Sequence, residues 1–423
     1  MLPGLYVHIP FCVKKCNYCD FFSIGREDCL RRFGADIYNN YTKALINEID
    51  HTASALTLEL KADDNAGLSA VSVDIPHSFD TVYIGGGTPS VIGGTDIRNI
   101  VERIRYRFSI SDDAEITLEV NPGTITRDKL LDYKSAGVNR ISMGVQVLDD
   151  DLLKFLGRIH DRDVAITNVR MVRDYFDNIN VDFIFGIPGL KSVSEPQTLE
   201  QAEKCAEFAV SEKIPHVSFY SLIREEGTVY DSWAGNGSLV EVEDSAEREM
   251  YYSISKILLN GGYGQYEISN FALPGLESRH NLKYWSGSRY LGLGCGSVSL
   301  LSETGGDRYV RFINKPDIAA YVDKYLCRSN PTENNEIHDV NSVYEIQEVL
   351  GTDDRKKEYM MLGFRKLSGP DPDRYERLFG GSTIFNDFKN ELRELTKAGL
   401  INQDLSLTKR GLDLGNEIFM KFV

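Results

Sequence analysis

Six short runs of β-branched and aromatic residues recur through the first half of this 423-residue chain, and segments with helical periodicity separate them. Strands that alternate with helices form right-handed βαβ units, so the pattern predicts a parallel sheet. The alternation alone leaves open a doubly wound sheet and a full or partial barrel. In either case, reactive groups gather at the carboxyl ends of the strands. The predicted strands start at Leu5, Thr81, Ile116, Arg140, Asn180 and His216.

The charge and hydropathy of the chain restrict the partners and the cellular location that we expect for it. It has 47 Lys and Arg against 63 Asp and Glu, a net charge of −16, which argues against a large nucleic-acid surface. Its first dozen residues lack the features of a signal peptide, and no apolar run is long enough to span a membrane. The sequence therefore predicts a protein of the reducing cytoplasm, where clustered cysteines indicate metal ligands before disulfides.

Three cysteines, Cys12, Cys16 and Cys19, stand in the segment CVKKCNYC. Soft thiolates at this spacing suit an iron–sulfur cluster, and three ligands for four irons leave one iron open to S-adenosyl-L-methionine (SAM). The alternatives are a zinc site completed by a distant His and three unrelated core cysteines, but zinc usually favours a second C-x2-C pair, which the chain lacks. The isolated cysteines predict simple buried or exposed thiols: Cys29, Cys205, Cys295 and Cys327.

Further motifs follow the cysteines: GGGTPS from Gly85, EVNPGT from Glu119, GVNRISMGVQ from Gly137, LGRIH from Leu156, VDFIFGIPG from Val181 and YSLIREEGT from Tyr220. With YVHIPFCVKKCNYCDF, they resemble the radical SAM proteins, in particular the group of oxygen-independent coproporphyrinogen III oxidase and the HemW-type heme chaperones. The resemblance covers nearly the whole chain. It implies an α/β fold with a partial (β/α)6 TIM-like barrel and a smaller, mainly helical, winged-helix-like C-terminal domain.

The resemblance also implies a [4Fe–4S] cluster on the three cysteines and a SAM site at the strand ends. Without it, a run of glycines indicates only a turn, a tyrosine indicates core, and a polar residue indicates the surface. The residues carried over as SAM-binding are Tyr6, Tyr18, Gly86, Gly87, Thr88, Glu119, Gln146, Arg158 and Asp182.

The chain divides into three predicted parts: a radical SAM core at 1–235, a connecting region at 236–350, and a C-terminal domain at 351–423. The polar stretch from about Lys61 to His77 predicts a surface insertion, and the stretch from about Glu243 to Asn260 predicts one long helix. The C-terminal domain is interpreted as a packing or partner module.

Three features separate the oxidase from the chaperone within this resemblance. Phe21 stands where the oxidases usually have a fourth cysteine, and the cluster begins at residue 12, which predicts no N-terminal extension like theirs. HNLKYW, from His280 to Trp285, is similar to the HNxxYW motif of the chaperones. The match implies His280 as a heme ligand, although a lone His is more often a hydrogen-bonded packing residue.

These features predict a heme chaperone that carries a SAM-bound cluster and transfers heme to an apo-hemoprotein. The alternative is the oxidase itself, a radical SAM decarboxylase of porphyrin synthesis. A radical SAM enzyme acting on an unrelated substrate is a third interpretation, and the similarity beyond the SAM motifs argues against it. The sequence leaves open a homodimer and the identity of the heme recipient.

Overall fold

A computed structural model describes residues 1–61, 70–191, 193–326 and 343–423. All six predicted runs form strands of one sheet, as their β-branched and aromatic composition indicates. These strands are β1 (Gly4–Ile9), β2 (Ser78–Gly86), β3 (Ser109–Val120), β4 (Arg140–Gln146), β5 (Asn178–Phe185) and β6 (His216–Ser221).

The six strands are parallel and lie side by side in chain order. Since each right-handed crossover moves to the next strand in the same direction, the connecting helices lie on one face of the sheet. This order excludes a doubly wound sheet and confirms the predicted α/β fold with a partial (β/α)6 barrel.

The sheet continues beyond both edges of this parallel half. The added strand Tyr290–Leu293 (β9) is parallel to β1, and the strands after it are antiparallel. The added strand Asn270–Ala272 (β8) is antiparallel to β6. Because β1 and β6 pair with these added strands, they do not close a barrel with each other. The added strands are β7 (Gly264–Gln265), β8 (Asn270–Ala272), β9 (Tyr290–Leu293), β10 (Val298–Ser302), β11 (Tyr309–Asn314) and β12 (Tyr344–Leu350).

The third helix packs through one apolar stripe. In this helix, buried isoleucines and a valine recur at helical spacing, at Ile97, Ile100, Val101 and Ile104. The predicted long helix is confirmed as α9. The helices before the C-terminal part are α1 (Arg26–Phe33), α2 (Ile37–Ser54), α3 (Gly94–Arg107), α4 (Arg127–Ala136), α5 (Asp150–Leu156), α6 (Arg162–Arg173), α7 (Leu199–Ser211), α8 (Val229–Gly235), α9 (Asp244–Asn260), α10 (Arg279–Trp285) and α11 (Ile318–Leu326).

The C-terminal part is mainly helical, as predicted, and has its own hydrophobic core that includes Tyr359, Phe364 and Leu395. One β-bridge joins Ile401 to Leu407, and another joins Lys366 to Glu267 of the preceding part. Its helices are α12 (Thr352–Gly363), α13 (Pro372–Leu378), α14 (Ile384–Asp387), α15 (Lys389–Lys397), α16 (Lys409–Asp413) and α17 (Gly415–Phe419).

Three short strand pairs lie outside the main sheet. Phe11–Cys12 pairs with Ile24–Gly25, Thr57–Leu60 with Val71–Asp74, and Gly189–Leu190 with Leu239–Val240. The second pair flanks residues 62–69, which lie outside the described residues, as does Cys327. The predicted surface insertion is therefore described only at its two ends.

The predicted domain boundaries stay predictions. Strands before and after the predicted boundary between residues 235 and 236 belong to the same sheet and share one hydrophobic core. None of the helices in the described ranges has the length and apolar character required to cross a membrane.

Candidate functional site

A cavity of about 480 Å³ opens at the carboxyl ends of the parallel strands. This is the end at which parallel α/β folds collect their functional groups. Eleven of the thirteen predicted site residues line it: Cys12, Cys16, Tyr18, Cys19, Gly86, Gly87, Thr88, Glu119, Gln146, Arg158 and Asp182.

The loop that carries the three cysteines leaves the sheet after β1 and is held at both ends. The two-residue strand ending at Cys12 pairs with Ile24–Gly25, which brings the start and the end of the loop together. In its middle, Asn17 donates from its side chain to Phe155 O (2.7 Å) and from its backbone to Leu156 O (3.0 Å). The loop is therefore fixed to α5 across 138 residues of sequence.

A chain of hydrogen bonds connects two of the cysteines across the cavity wall. Thr88 Oγ1 donates to Cys12 Sγ (3.5 Å) and accepts from Asn121 Nδ2 (2.7 Å). Asn121 Oδ1 in turn accepts from Arg158 (2.5 Å), and the Arg158 guanidinium also donates to Cys16 Sγ (3.3 Å). The chain of contacts thus runs from one sulfur to another through three polar side chains and supports both.

The thiols have the protonation expected of metal ligands before metal is bound. Burial raises the pKa of Cys12, while burial and the neighbouring Cys16 thiol raise the pKa of Cys19 to about 12. Both are therefore protonated at neutral pH, and binding iron would release their protons. The partly buried Arg158 guanidinium supplies positive charge beside the resulting thiolates.

The donor set fits a cluster better than a single ion. Across the described ranges, no three His, Cys, Asp or Glu side chains converge as one metal ion requires. In a [4Fe–4S] cluster each cysteine binds a different iron, so the sulfurs need not converge on one point.

The glycine run at the end of β2 lies directly against the cysteine loop. A Cβ atom on Gly87 would lie 2.8 Å from Phe11 O and 3.0 Å from Cys12 Sγ, and Gly86 has a left-handed φ of 116°. Backbone hydrogen bonds from Gly87 N to Ile9 O (2.9 Å) and from Thr88 N to Phe11 O (2.7 Å) hold the two segments together. Only glycine allows this approach of two backbones.

Glu119 is a partly buried carboxylate at the cavity floor, and it accepts hydrogen bonds from two donors. Tyr83 donates its hydroxyl to Oε1 (2.7 Å), and Gly86 N donates to Oε2 (3.2 Å). Burial raises the pKa of Glu119 to about 7, and the nearby Asp182 adds to this, while the two hydrogen bonds oppose it. A cationic ligand would favour the ionised form, so the group is suited to receive an ammonium group.

Gln146 and Asp182 lie on neighbouring strands of the same wall. Asp182 accepts from Ser142 Oγ (3.1 Å) and Asn180 Nδ2 (2.7 Å). Gln146 is one of few non-glycine residues with a left-handed φ, 73°, and the register of β4 against β5 shifts between Gly144 and Gln146. This irregularity changes the direction of the Gln146 side chain at the point where β4 ends.

Two of the predicted site residues do not line the cavity. The Tyr6 hydroxyl is hydrogen-bonded to His8 Nδ1 (2.9 Å), and its ring stacks on Tyr83. His280 is almost fully buried, and its Nδ1 and Nε2 atoms are hydrogen-bonded to Thr81 Oγ1 (2.9 Å) and Tyr284 OH (3.0 Å). Iron ligation by His280 would require this ring to give up at least one of these bonds.

The mouth of the cavity carries exposed apolar side chains. Phe21 and Ile223 are each 66% exposed, Ile159 is 43% exposed and Tyr220 is 41% exposed, and all four line the cavity. We call these four residues the apolar rim. The positively charged Lys14 lies beside them.

Asn121, Asn17 and Tyr83 were not predicted as site residues. Asn121 lies in the EVNPGT motif and Asn17 in the cysteine loop, so each stood beside a recognised signal. Nothing in the sequence around Tyr83 indicates that its hydroxyl reaches a carboxylate 36 residues away.

The cysteine loop, the glycine turn and the strand-end polar groups define a radical SAM protein. A family model of the radical SAM superfamily matches residues 6–202. The heme chaperone HemW of Bacillus subtilis (strain 168) is 33% identical over 427 residues, which cover 100% of this chain and 99% of the relative. The chain belongs to the HemW family.

Two other comparisons agree with this assignment. The heme chaperone HemW of Escherichia coli (strain K12) is 36% identical over 296 residues, which cover 70% of this chain and 69% of the relative. Among solved structures, coproporphyrinogen III oxidase (HemN) from Escherichia coli, a radical SAM enzyme, superimposes with a TM-score of 0.73 at 21% identity. That match covers 100% of this chain and 90% of HemN, and at this identity it shows the shared fold.

Proposed function

We propose that this protein binds heme and delivers it to apo-hemoproteins, and that it carries a SAM-binding [4Fe–4S] cluster on Cys12, Cys16 and Cys19. The apolar rim around the cavity mouth is the observation on which the heme part rests. Exposed apolar groups of this size, gathered beside a cavity, usually mark a binding surface. The full-length similarity to proteins named heme chaperones supports heme as the ligand.

The chemistry of heme matches the apolar rim. A porphyrin has two broad apolar faces. Contact with Phe21 and Ile223 removes these faces from water, which stabilises the complex. Its propionate groups are anionic, and Lys14 offers a positive charge beside the same mouth. An open rim also suits a ligand that must leave again for another protein.

The cavity residues would hold the cluster and SAM as follows. When bound, the cluster supplies an iron with an open coordination position and an electron source for SAM. Glu119 would accept hydrogen bonds from the ammonium group, and the backbone of Gly86 and Gly87 would approach the ligand closely. Arg158 would balance the negative charge of the thiolates, and Asp182 would accept from ribose hydroxyls.

Anaerobic reconstitution with iron and sulfide, followed by heme titration, tests this proposal. We expect about one heme per chain, with transfer to an added apo-hemoprotein measured by the absorbance of the recipient. The double variant Phe21→Ser, Ile223→Ser should weaken heme binding about a hundredfold or more, because burying each of these two side chains contributes ~1.5–3 kcal/mol. Tyr106→Ser is the matched control, since Tyr106 is 76% exposed on α3 and does not line the cavity.

Two results would contradict the proposal. One is the absence of heme binding by the reconstituted wild type. The other is protoporphyrinogen formation from coproporphyrinogen III with SAM and a reductant, which would instead identify the oxidase. The recipient, a cytoplasmic location and a homodimer stay predictions.

A further inference from the structure

The HNLKYW segment lies on α10, at the opposite end of the strands from the cavity mouth. Lys283 forms an ion pair with Asp80, at the start of β2, and donates to Leu2 O (2.6 Å) just before β1. At the other end of the helix, the backbone N–H groups of Arg279 and His280 donate to the buried Glu115 carboxylate of β3 (3.2 and 3.0 Å). These contacts fix α10 beneath the first three strands.

The His280 ring packs against the paired strands β1 and β2. A Cβ atom on Gly4 would lie 3.0 Å from His280 Cε1, so the ring packs directly against the β1 backbone. Thr81 and Tyr284 bind its two nitrogens, which fixes the orientation of the ring in its plane. Burial lowers the pKa of His280 to about 3, and the positive charge of Lys283 adds to this. The ring is therefore a neutral, fully bonded packing group.

Tyr83 connects this ring to the cavity. The His280 and Tyr83 ring centroids are 5.2 Å apart with an interplanar angle of 31°, and Tyr6 stacks on Tyr83 at 6.3 Å. The hydroxyl of Tyr83 donates to Glu119 Oε1 (2.7 Å). A contiguous path of packed rings thus runs from α10 to the carboxylate at the cavity floor.

We propose that His280 is a positioning residue that holds Tyr83, and through it Glu119, in the orientation that binds SAM. In this proposal the HNLKYW segment supports the SAM site from below, whereas the resemblance to the HNxxYW motif implies that His280 is a heme ligand. The inference rests on the proposed SAM site at Glu119 and is independent of heme transfer.

A double-mutant cycle on SAM affinity of the reconstituted protein tests this inference. We expect His280→Ala and Tyr83→Phe each to raise the SAM dissociation constant about tenfold, since each disturbs a hydrogen-bonded carboxylate. The double variant should be no weaker than Tyr83→Phe alone, because both changes act on one path. His280→Gln, which retains a donor and an acceptor for Tyr284 and Thr81, should recover most of the affinity.

The EPR spectrum of the reduced cluster provides a second measurement, since SAM binding at the open iron changes its environment. In His280→Ala, the SAM-dependent spectral change should require about tenfold more SAM, while heme stoichiometry stays at about one per chain. Arg279→Met is the matched control on the same helix: its side chain pairs with Asp113, away from the path of rings, so SAM affinity should not change.

Several outcomes would overturn the inference. These are unchanged SAM affinity in His280→Ala, additive effects in the double-mutant cycle, or an equal loss of SAM affinity in Arg279→Met. Loss of heme from His280→Ala with normal SAM binding would restore the heme-ligand interpretation. A wild type that binds no SAM would instead reject the proposed SAM site, so the two failures are distinguishable.

Discussion

Asn121 shows how much of the cavity depends on a single short side chain. Its amide donates to Thr88 and accepts from Arg158, and these two residues contact different cysteine sulfurs. An aspartate here would have no N–H to donate to Thr88, and a leucine would leave the partly buried Arg158 guanidinium with one acceptor fewer. The amide is thus the group whose donor and acceptor match both neighbours.

The buried histidines make stability depend on pH, and His280 is the clearest case. Its imidazole stays neutral in the folded protein until about pH 3, whereas in the unfolded chain it takes up a proton below about pH 6.5. Because the unfolded state then binds more protons, the contribution of His280 to folding is full above pH 6.5. It is lost as the pH falls from 6.5 towards 3.

We therefore expect the stability of the wild-type apoprotein relative to His280→Gln to decrease with acidification. The decrease should approach about 1.4 kcal/mol per pH unit below pH 5.5. Urea unfolding of both proteins at pH 7.5, 6.0 and 5.0 measures it, and the comparison of variants cancels the titration of other groups. A difference in free energy that stays constant across this range would contradict the assignment of a neutral, buried ring.

The sequence could identify the cysteines and most of the cavity residues because each stands in a local motif. The environments of Gln146 and His280 could not be predicted in this way. The left-handed φ of Gln146 comes from a register shift between two strands. The partner of His280 Nδ1 is Thr81, 199 residues away, so its burial is a property of the packed fold.

At the scale of elements, the end of β2 and the cysteine loop are in direct backbone contact. The missing Cβ of Gly87 leaves room for the Phe11 carbonyl, and two backbone hydrogen bonds join the end of β2 to the cysteine loop. The spacing of the cysteines alone therefore does not determine the ligand geometry. The position of Cys12 also depends on β2, which begins 66 residues later.

Gly87→Ala should impair cluster assembly. The new methyl group would meet backbone at 2.8 Å, a contact that no side-chain rotation relieves, so the cysteine loop must shift. We expect a several-fold lower iron content after anaerobic reconstitution, measured by absorbance near 400 nm and iron analysis. Gly264→Ala, on the edge strand β7, is the control, because its Cβ would lie 3.9 Å from the nearest atom. Equal iron content in both variants would show that the close approach at Gly87 is not required.

The elements that the sequence predicted best are those with strong local patterns. All six parallel strands and α9 appear where composition and periodicity placed them. The strand β9 was not predicted, although it lies inside the sheet, between β1 and β10. Its four residues pair with a strand about 285 positions earlier, and a short run such as Tyr290–Leu293 has no pattern that identifies this partner.

At the scale of the whole molecule, the C-terminal helices attach to the turn that follows HNLKYW. Arg374 donates to Ser286 O (2.7 Å) and Ser288 Oγ (2.7 Å), and Arg355 donates to Gly287 O (2.8 Å). The Arg365 guanidinium lies 4.4 Å from the centre of the Trp285 ring. Three arginines of the C-terminal part thus hold the segment that ends α10.

This attachment predicts that the C-terminal part restrains α10 and the turn after it. Arg374→Met keeps the length of the side chain but removes both hydrogen bonds to Ser286 and Ser288. The variant should therefore lose about 1–3 kcal/mol of stability and exchange backbone amides faster in residues 279–288. Hydrogen exchange with mass spectrometry measures this.

Arg393→Met, at an exposed position of α15, is the control and should leave exchange in residues 279–288 unchanged. If both variants exchange alike there, the turn is held by the barrel alone. If only Arg374→Met exchanges faster, the C-terminal helices hold the far end of the path of rings that starts at α10, passes through Tyr83 and ends at Glu119. A protein that binds the C-terminal helices would then have a physical route to the floor of the cavity.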